Sequence, residues 1–352
     1  MKIVFFLPGA TSSVSGGYSV IYKYANLLIE RGHNVRIIFG NKNLKGLVPI
    51  YNCVPIRKCL IFIKFGKRPR WFHLNKKIKV SYLTKNLCDS DITDGEIIIA
   101  TAVDTAEQVA KLEKAKKFYL VQDFENWEVG DDYVIKTYQM GLKIITVSNY
   151  LKKRIQEYTN SEITVIPNGI DDEYFRLMKP IEDRQPHTVA MLYHRLKNKG
   201  SKYGIETIIK LKERYPDLKA AMFGTVKKPN DLPKWITYYF CASKAQLAEL
   251  YNNSSIFICP TIWEGFGLTA LEAMACGCAV VSTDYDAGRD FMVDQINALL
   301  CKTADSEGLY LNACKIIEND ELRKTIATNG VNVAKKFIWS RSVTLIEEEI
   351  AK

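Results

Sequence analysis

The sequence predicts an α/β chain made of two doubly wound domains, and three observations carry that prediction. Short apolar segments alternate with helical stretches along most of the chain, the pattern of parallel strands joined by crossover helices. The alternation pauses once, in a charged, proline-bearing stretch at 178–187, and then restarts. A length of 352 residues suffices for two cores of ordinary domain size.

In the first half, Lys2–Leu7, Asn34–Phe39, Glu96–Ala100, Lys117–Val121, Lys143–Val147 and Ile163–Ile166 read as strands. Helices are expected over Gly17–Arg31, Thr105–Leu112, Asp131–Gln139 and Asn149–Tyr158. The second half begins with a strand at Thr188–Tyr193 and a helix at Gly204–Tyr215, followed by strands at Lys219–Phe223 and Ile236–Phe240. A helix at Lys244–Asn252, a strand at Ile256–Cys259, a helix at Leu268–Cys276 and a strand at Cys278–Ser282 come next, and a last helix spans Ser340–Ala351. Sheets of this kind take their ligands outside the carboxyl ends of the strands, and two such domains leave a cleft. The chemistry is therefore sought in the loops that follow strands.

Apolar residues make up 47% of the chain and charged ones 25%, ordinary for a soluble globular protein. No apolar run approaches the roughly 18–20 residues that span a bilayer. Met1–Leu7 reads as a strand broken by Pro8-Gly9, not as a leader. Nine cysteines without paired metal spacings and only four histidines argue against a zinc site, and scattered thiols fit a reducing cytosol.

The most loaded segment is Pro260-Thr-Ile-Trp-Glu-Gly-Phe-Gly-Leu-Thr-Ala-Leu-Glu-Ala-Met-Ala-Cys-Gly277, in which Glu264 and Glu272 stand eight residues apart. Glu264 falls in a strand-to-helix loop kept bare by Gly265 and Gly267, and Glu272 lies about one turn inside the helix. Unpaired N–H groups and the positive helix end suit an anion such as a diphosphate. The two carboxylates then flank that anion, placed to accept hydrogen bonds from sugar and ribose hydroxyls. Arg195 and Lys199 emerge after an apolar strand, where a planar fork and a point charge stabilise a leaving diphosphate. Lys197 is the alternative to Lys199. Gly16 and Gly17 follow the first strand and open a helix, which lets bare backbone approach a phosphate or sugar. No G-x-G-x-x-G dinucleotide fingerprint is present.

The Glu264/Glu272 run resembles the E-x7-E motif of retaining nucleotide-sugar glycosyltransferases of family 4, with the GT-B fold of two Rossmann-like domains facing a central cleft. Other landmarks occur in the family's order: Gly16-Gly17, Arg31-Gly-His-Asn-Val35, Thr146-Val-Ser-Asn-Tyr150, Val165-Ile-Pro-Asn-Gly-Ile-Asp171, Arg195-Leu-Lys-Asn-Lys-Gly200 and Phe337-Ile-Trp-Ser-Arg341. The resemblance implies an acceptor-binding domain at 1–178, onto which 337–352 packs back, and a nucleotide-sugar-binding domain at 179–336. It implies Arg195, Lys199 and Glu264 as catalytic, and Gly16, Gly17, Gly265, Phe266, Gly267, Leu268, Thr269 and Glu272 as donor-binding. The family's Arg and Lys usually stand five residues apart; here they are four apart. Many members also carry a His after the fourth strand of the first domain. Here Gln122 and Asp123 stand in that loop, within a Gln-Asp-Phe-Glu run similar to that of bacterial polysaccharide-assembly transferases, and are assigned to the acceptor or sugar.

Charge is unevenly placed. Fourteen Lys or Arg and no acid lie between Arg31 and Cys88, which outweighs the chain's net +10. Within it, the region 57–79 interleaves cations with bulky apolar residues, including Lys64, Lys67, Arg68, Arg70, Trp71 and Phe72, the composition of a surface that meets anionic lipid. A solvated face with its apolar residues turned inward is the bland alternative. No helix-turn-helix, zinc knuckle or RNP pattern supports nucleic acid as a partner. Asp284-Tyr-Asp286 mimics a metal-binding D-x-D but comes after the second-domain motifs, so no metal is expected.

The expected activity is therefore metal-independent, retaining transfer of a hexosyl or deoxyhexosyl group from a nucleoside-diphosphate sugar to a glycan or lipid-linked acceptor. The nucleotide-sugar is a substrate, so no cofactor is expected. Its setting would be cytoplasmic, peripheral at the inner face of the plasma membrane, in bacterial surface polysaccharide or glycoconjugate synthesis. A nucleotide-sugar epimerase of the same architecture and a non-catalytic membrane-associated scaffold are the alternatives.

Overall fold

A computed structural model of the chain describes residues 1–12, 14–42, 66, 68–126 and 129–352. It divides into two compact units, Met1–Pro167 with Ser342–Lys352, and Asn168–Arg341.

The first unit is built on seven strands: β1 (Lys2–Leu7), β2 (Asn34–Phe39), β3 (Lys79–Tyr82), β4 (Ile97–Ala100), β5 (Lys116–Val121), β6 (Lys143–Thr146) and β7 (Ile163–Val165). They pair in parallel in the order β3-β2-β1-β4-β5-β6-β7. Ile3 to Leu7 of β1 and all of β4 are buried, as central strands covered on both faces must be. Helices α1 (Gly16–Glu30), α2 (Val103–Ala110), α3 (Asp131–Tyr138) and α4 (Asn149–Gln156) connect them. The strand order reverses between β1 and β4, which fixes where a ligand crevice opens.

The second unit holds six parallel strands, β8 (Thr188–Leu192), β9 (Lys219–Gly224), β10 (Thr237–Phe240), β11 (Ile256–Cys259), β12 (Ala279–Thr283) and β13 (Ala298–Cys301), in the order β10-β9-β8-β11-β12-β13. Its helices are α5 (Ser201–Arg214), α6 (Lys244–Asn252), α7 (Leu268–Ala275), α8 (Ser306–Glu318) and α9 (Asp320–Ala334). Here the reversal lies between β8 and β11, which pair through Met191 and Ile258. One continuous core joins Val189, Met191, Ile256 and Ile258 of these strands to Ile208 and Leu211 of α5 and Leu309 of α8.

The division corrects the boundary expected after residue 178. The stretch 168–187 is anchored in the second unit: Arg184 donates to the carbonyls of Tyr251, Ser254 and Lys179, and Phe175 packs edge-on against Tyr251 at 6.0 Å. A buried guanidinium whose protons meet five carbonyl or amide oxygens holds that segment to one body, charged composition notwithstanding. At the other end, Phe337 joins Phe266 and Phe291 in an aromatic trio of the second unit, so the return to the first begins at Ser342 rather than 337. The last helix, α10 (Trp339–Ala351), is tied to the first unit by Ser342 on the Pro167 carbonyl and by Glu347, which meets both Arg31 and His33.

In the described part of the basic window, Trp71 and Phe72 are half-buried against the first unit, whereas Arg70, Lys76, Lys77 and Lys79 are exposed. Trp71 and Phe72 lie 5.5 and 5.2 Å from the Tyr22 ring of α1, and the Trp71 indole donates to the Thr11 carbonyl. Arg68 donates to four carbonyls, those of Leu74, Asn75, Lys76 and Ile78. Strand β3, absent from the expected elements, lies in this window and pairs Lys79 with Arg36. Lys64 and Lys67 lie outside the described residues.

Candidate active site

In the second unit, the loops after β8 and β11 meet at the reversal of strand order. Gly200 makes this possible. Its φ of +63° is a left-handed conformation, and a Cβ there would run into the Pro260 carbonyl. The Asn198 carbonyl accepts the Ile262 amide at 2.7 Å, and its side-chain amide donates to the Trp263 carbonyl at 3.0 Å, so one loop is laced to the other.

Lys199 is thereby held with its Nζ 2.7 Å from Glu264 Oε2, while Thr261 donates to Glu264 Oε1 at 3.0 Å. Lys199 and Glu264 are both half-buried, whereas Lys197 is exposed. Of the two expected alternatives, Lys199 is the one brought to the motif. Arg195 is not: it is exposed, makes no hydrogen bond or ion pair with Lys199 or Glu264, and lines a cavity of about 690 Å³ with Tyr193, Lys197, Tyr203 and Ile262.

Gly267 precedes α7 at a φ of +113°, and no side chain caps this helix. The first-turn amides of Leu268 and Thr269 therefore remain donors at a positive helix end. Gly265 is buried beside them, and the Phe266 ring is turned into the trio with Phe291 and Phe337, which leaves only its backbone for a ligand.

Glu272 is half-buried, and the Tyr251 hydroxyl lies 3.5 Å from its Oε2. Burial pushes its carboxyl up to about 8; Asp171 adds to the rise and Lys244 opposes it. Asp171 and Lys244 form an ion pair with each other. In the sequence, Asp171 stands in its Pro-Asn-Gly-Ile-Asp run without an assigned role, and Lys244, the first residue of its helix, carries no side-chain role. His194 carries no sequence signal either; its Nδ1 accepts the Leu196 amide at 3.1 Å, and its pKa is lowered by burial and then by Lys199. Asp284 and Asp286 both face Arg289, and no cluster among the described residues has the make-up of a metal site.

The first unit brings Gln122 to Gly17, whereas Gly16 is exposed with no side chain near it. Gln122 Nε2 donates to the Gly17 carbonyl at 3.3 Å, beside a cavity of about 450 Å³ at the ends of β1, β4 and β5. Asp123 instead turns back to accept the Phe124 amide at 2.8 Å. Glu125, unassigned from sequence, lines the same cavity.

Residues 176–333 match the family model of glycosyl transferases group 1. Among curated proteins, the chain is 27% identical over 207 residues to a phosphatidyl-myo-inositol mannosyltransferase of Mycolicibacterium smegmatis, covering 56% of this chain and 53% of that one. It is 28% identical over 163 residues to an N,N'-diacetylbacillosaminyl-diphospho-undecaprenol alpha-1,3-N-acetylgalactosaminyltransferase of Campylobacter jejuni, covering 44% and 42%. The chain thus spans about half the length of the curated relatives it matches. Among solved structures, sucrose-phosphate synthase from Thermosynechococcus elongatus superimposes with a TM-score of 0.73 at 14% identity, over 99% of this chain and 98% of that one. HepE from Anabaena, in complex with UDP and glucose, gives 0.71 at 14% identity over the full length of both. The fold is that of the GT-B glycosyltransferases, and residues 176–333, less than half of the chain, are similar to the glycosyl transferases of group 1.

Proposed function

We propose that the chain moves a sugar, with retention and without a metal, from a nucleoside-diphosphate sugar to a hydroxyl of a glycan or lipid-linked acceptor. The observation that carries this reading is the Lys199–Glu264 pair beside the uncapped start of α7, with Glu272 one turn further on. Amides and an ammonium at one point suit a diphosphate; carboxylates on either side suit the hydroxyls that flank it. Donor contacts fall to Gly265, Phe266, Gly267, Leu268, Thr269 and Glu272, with Gly16 and Gly17 contributing backbone.

The step needs no protein nucleophile. The bond from the anomeric carbon to the diphosphate oxygen breaks with its electron pair, and the acceptor oxygen forms its bond on the same face. The acceptor's proton passes to the departing phosphate oxygen. Lys199, held in place by Glu264, stabilises the charge that develops there as a fixed cation, and the exposed Arg195 would have to turn toward the diphosphate to share that role. Both named relatives are glycosyltransferases, and the Anabaena neighbour holds UDP, which supports a nucleotide donor. The Campylobacter relative's name places its acceptor on a diphospho-undecaprenol lipid, which supports a lipid-linked acceptor. No helix among the described residues is long and apolar enough to cross a membrane.

Thermal shift across UDP-, dTDP-, GDP- and ADP-sugars tests the reading. A ligand at about 100 times its dissociation constant stabilises the fold by roughly 2.7 kcal/mol. Stabilisation by one nucleotide class, unaffected by EDTA, is expected; no response to any of them removes the donor assignment. Nucleotide release that depends on an added acceptor separates transfer from epimerisation, and NMR of the product's anomeric configuration tests retention.

A further inference from the structure

In the run Asp284-Tyr-Asp286 after β12, the two acids face Arg289 toward the surface, while the tyrosine goes inward and is 1% exposed. Two glycines make room for it. A Cβ on Gly288 would stand 2.8 Å from Tyr285 Cζ, and a Cβ on Gly267 would fall on the Tyr285 hydroxyl itself. The hydroxyl therefore fills the hollow against Gly267, the residue from which α7 and its first-turn amides set out.

Burial keeps this phenol protonated. It is pushed well above its ordinary value, with the Cys259 thiol and the Glu264 carboxylate adding to the rise. A protonated phenol is a donor, yet this one makes no hydrogen bond among the described residues. A buried hydroxyl without a partner destabilises a fold relative to phenylalanine in the same place, and in a native chain it calls for an explanation. Two observations locate that explanation at the anion site. Glu264 and Gly267 share one loop, which Thr261 and Lys199 hold at the carboxylate and Tyr285 holds at the glycine. No side chain caps α7, and Gly267, at a φ of +113°, has the backbone freedom to tilt the peptides that open it.

We propose that Tyr285 is a positioning residue for the donor's diphosphate: its hydroxyl supports the Gly265–Gly267 turn and bonds to a carbonyl of that turn when the first-turn amides of α7 close on the anion. The phenol acts through the peptide and not on the substrate, because its oxygen is enclosed by protein. The inference rests on the transferase reading above and adds a residue to its donor site.

Tyr285→Phe removes one oxygen and keeps the ring between its glycines. Calorimetric titrations of the full chain use UDP, dTDP, GDP and ADP, the matching nucleosides, and inorganic pyrophosphate, and denaturation without any of them reads the fold. Tyr285→Phe is expected to unfold no earlier than the wild-type chain. It is expected to bind pyrophosphate and the preferred nucleoside diphosphate about tenfold more weakly, and the matching nucleoside as before. A fold at least as stable with a weaker grip on diphosphate alone is a pair that a purely structural tyrosine does not produce. Unchanged diphosphate affinity overturns the proposal, and so does an equal loss for nucleoside and diphosphate. An earlier unfolding midpoint overturns it too, because the hydroxyl would then already be bonded. Pyrophosphate binding that depends on Tyr285, in a chain that binds none of the nucleotides, would support the positioning role and count against the transferase reading. Absence of binding by pyrophosphate and every nucleotide overturns both.

Discussion

The Lys199 ammonium stands 2.7 Å from Glu264 across the point where the second sheet reverses its strand order. Sixty-five residues separate the two in the chain, and two loops of opposite sheet halves bring them together. The ammonium is thus held by a carboxylate at the place where the proposed diphosphate would need it.

That pairing makes the two residues energetically inseparable. Lys199→Ala removes leaving-group stabilisation and leaves Glu264 facing an anion site, so turnover is expected to fall by on the order of tenfold to a thousandfold. Glu264→Gln is expected to cost a comparable factor. The double variant should be far less impaired than the product of the two, because each single change already breaks the pair. Multiplicative losses in a double-mutant cycle would show that the contact has no functional meaning.

Glu272 and Glu125 give the stability a recognisable pH signature. Burial raises both, to about 8 and about 7, from an ordinary value of 4.5. The folded chain therefore holds these protons more tightly than the unfolded chain. Their contribution is complete below pH 4.5 and is lost as pH rises through 7 and 8. Each is expected to contribute on the order of 1–3 kcal/mol to the difference. Denaturant titrations of the wild-type chain and Glu272→Gln should converge at low pH and separate above neutrality, with the variant the more stable at pH 8.5. Parallel curves would remove the raised carboxyl from the account.

Much of this architecture was legible because central parallel strands are apolar on both faces, and Ile97–Ala100 and Ile256–Cys259 announce themselves that way. Strand β3 did not, since its burial alternates poorly and it lies at the sheet edge among cations. In the site, Glu264 was visible through motif spacing, Lys199 through the Gly200 that follows it, and Gln122 through its place where the resembled family carries a His. The positions of Asp171 and Lys244 beside Glu272 were not, because a long-range ion pair leaves no local pattern. Glu125 was equally hidden: only the fold turns the last residue of Gln-Asp-Phe-Glu back onto the Val103 amide. Trp71 and Phe72 show the converse limit, for an aromatic beside cations reads identically whether it meets lipid or Tyr22.

Gly200 tests whether the loop crossing is what places the ammonium. Any side chain there faces both a φ of +63° and the Pro260 carbonyl. Gly200→Ala is expected to destabilise the second unit by several kcal/mol, and to weaken nucleotide binding more than Lys197→Ala does. Calorimetric titration of both variants checks this; unaltered nucleotide affinity in Gly200→Ala would mean that the loops do not need their close approach.

The basic window offers a last discrimination, between a structural cation and a lipid-facing one. Arg68 serves four backbone carbonyls between Leu74 and Ile78, which folds the approach to β3 around it. Hydrogen bonds to a charged donor contribute about 1.5–3 kcal/mol in favourable cases. Arg68→Ala is therefore expected to lower the unfolding midpoint by several degrees for a domain of this size. A paired measurement separates the roles: cosedimentation with anionic liposomes at low and high salt, for Arg68→Ala and for Lys64→Ala/Lys67→Ala. If the inward packing of Trp71 and Phe72 describes the window, Arg68→Ala changes stability without changing sedimentation. A salt-sensitive loss of liposome binding in Arg68→Ala, at unchanged stability, would reassign this arginine to the membrane.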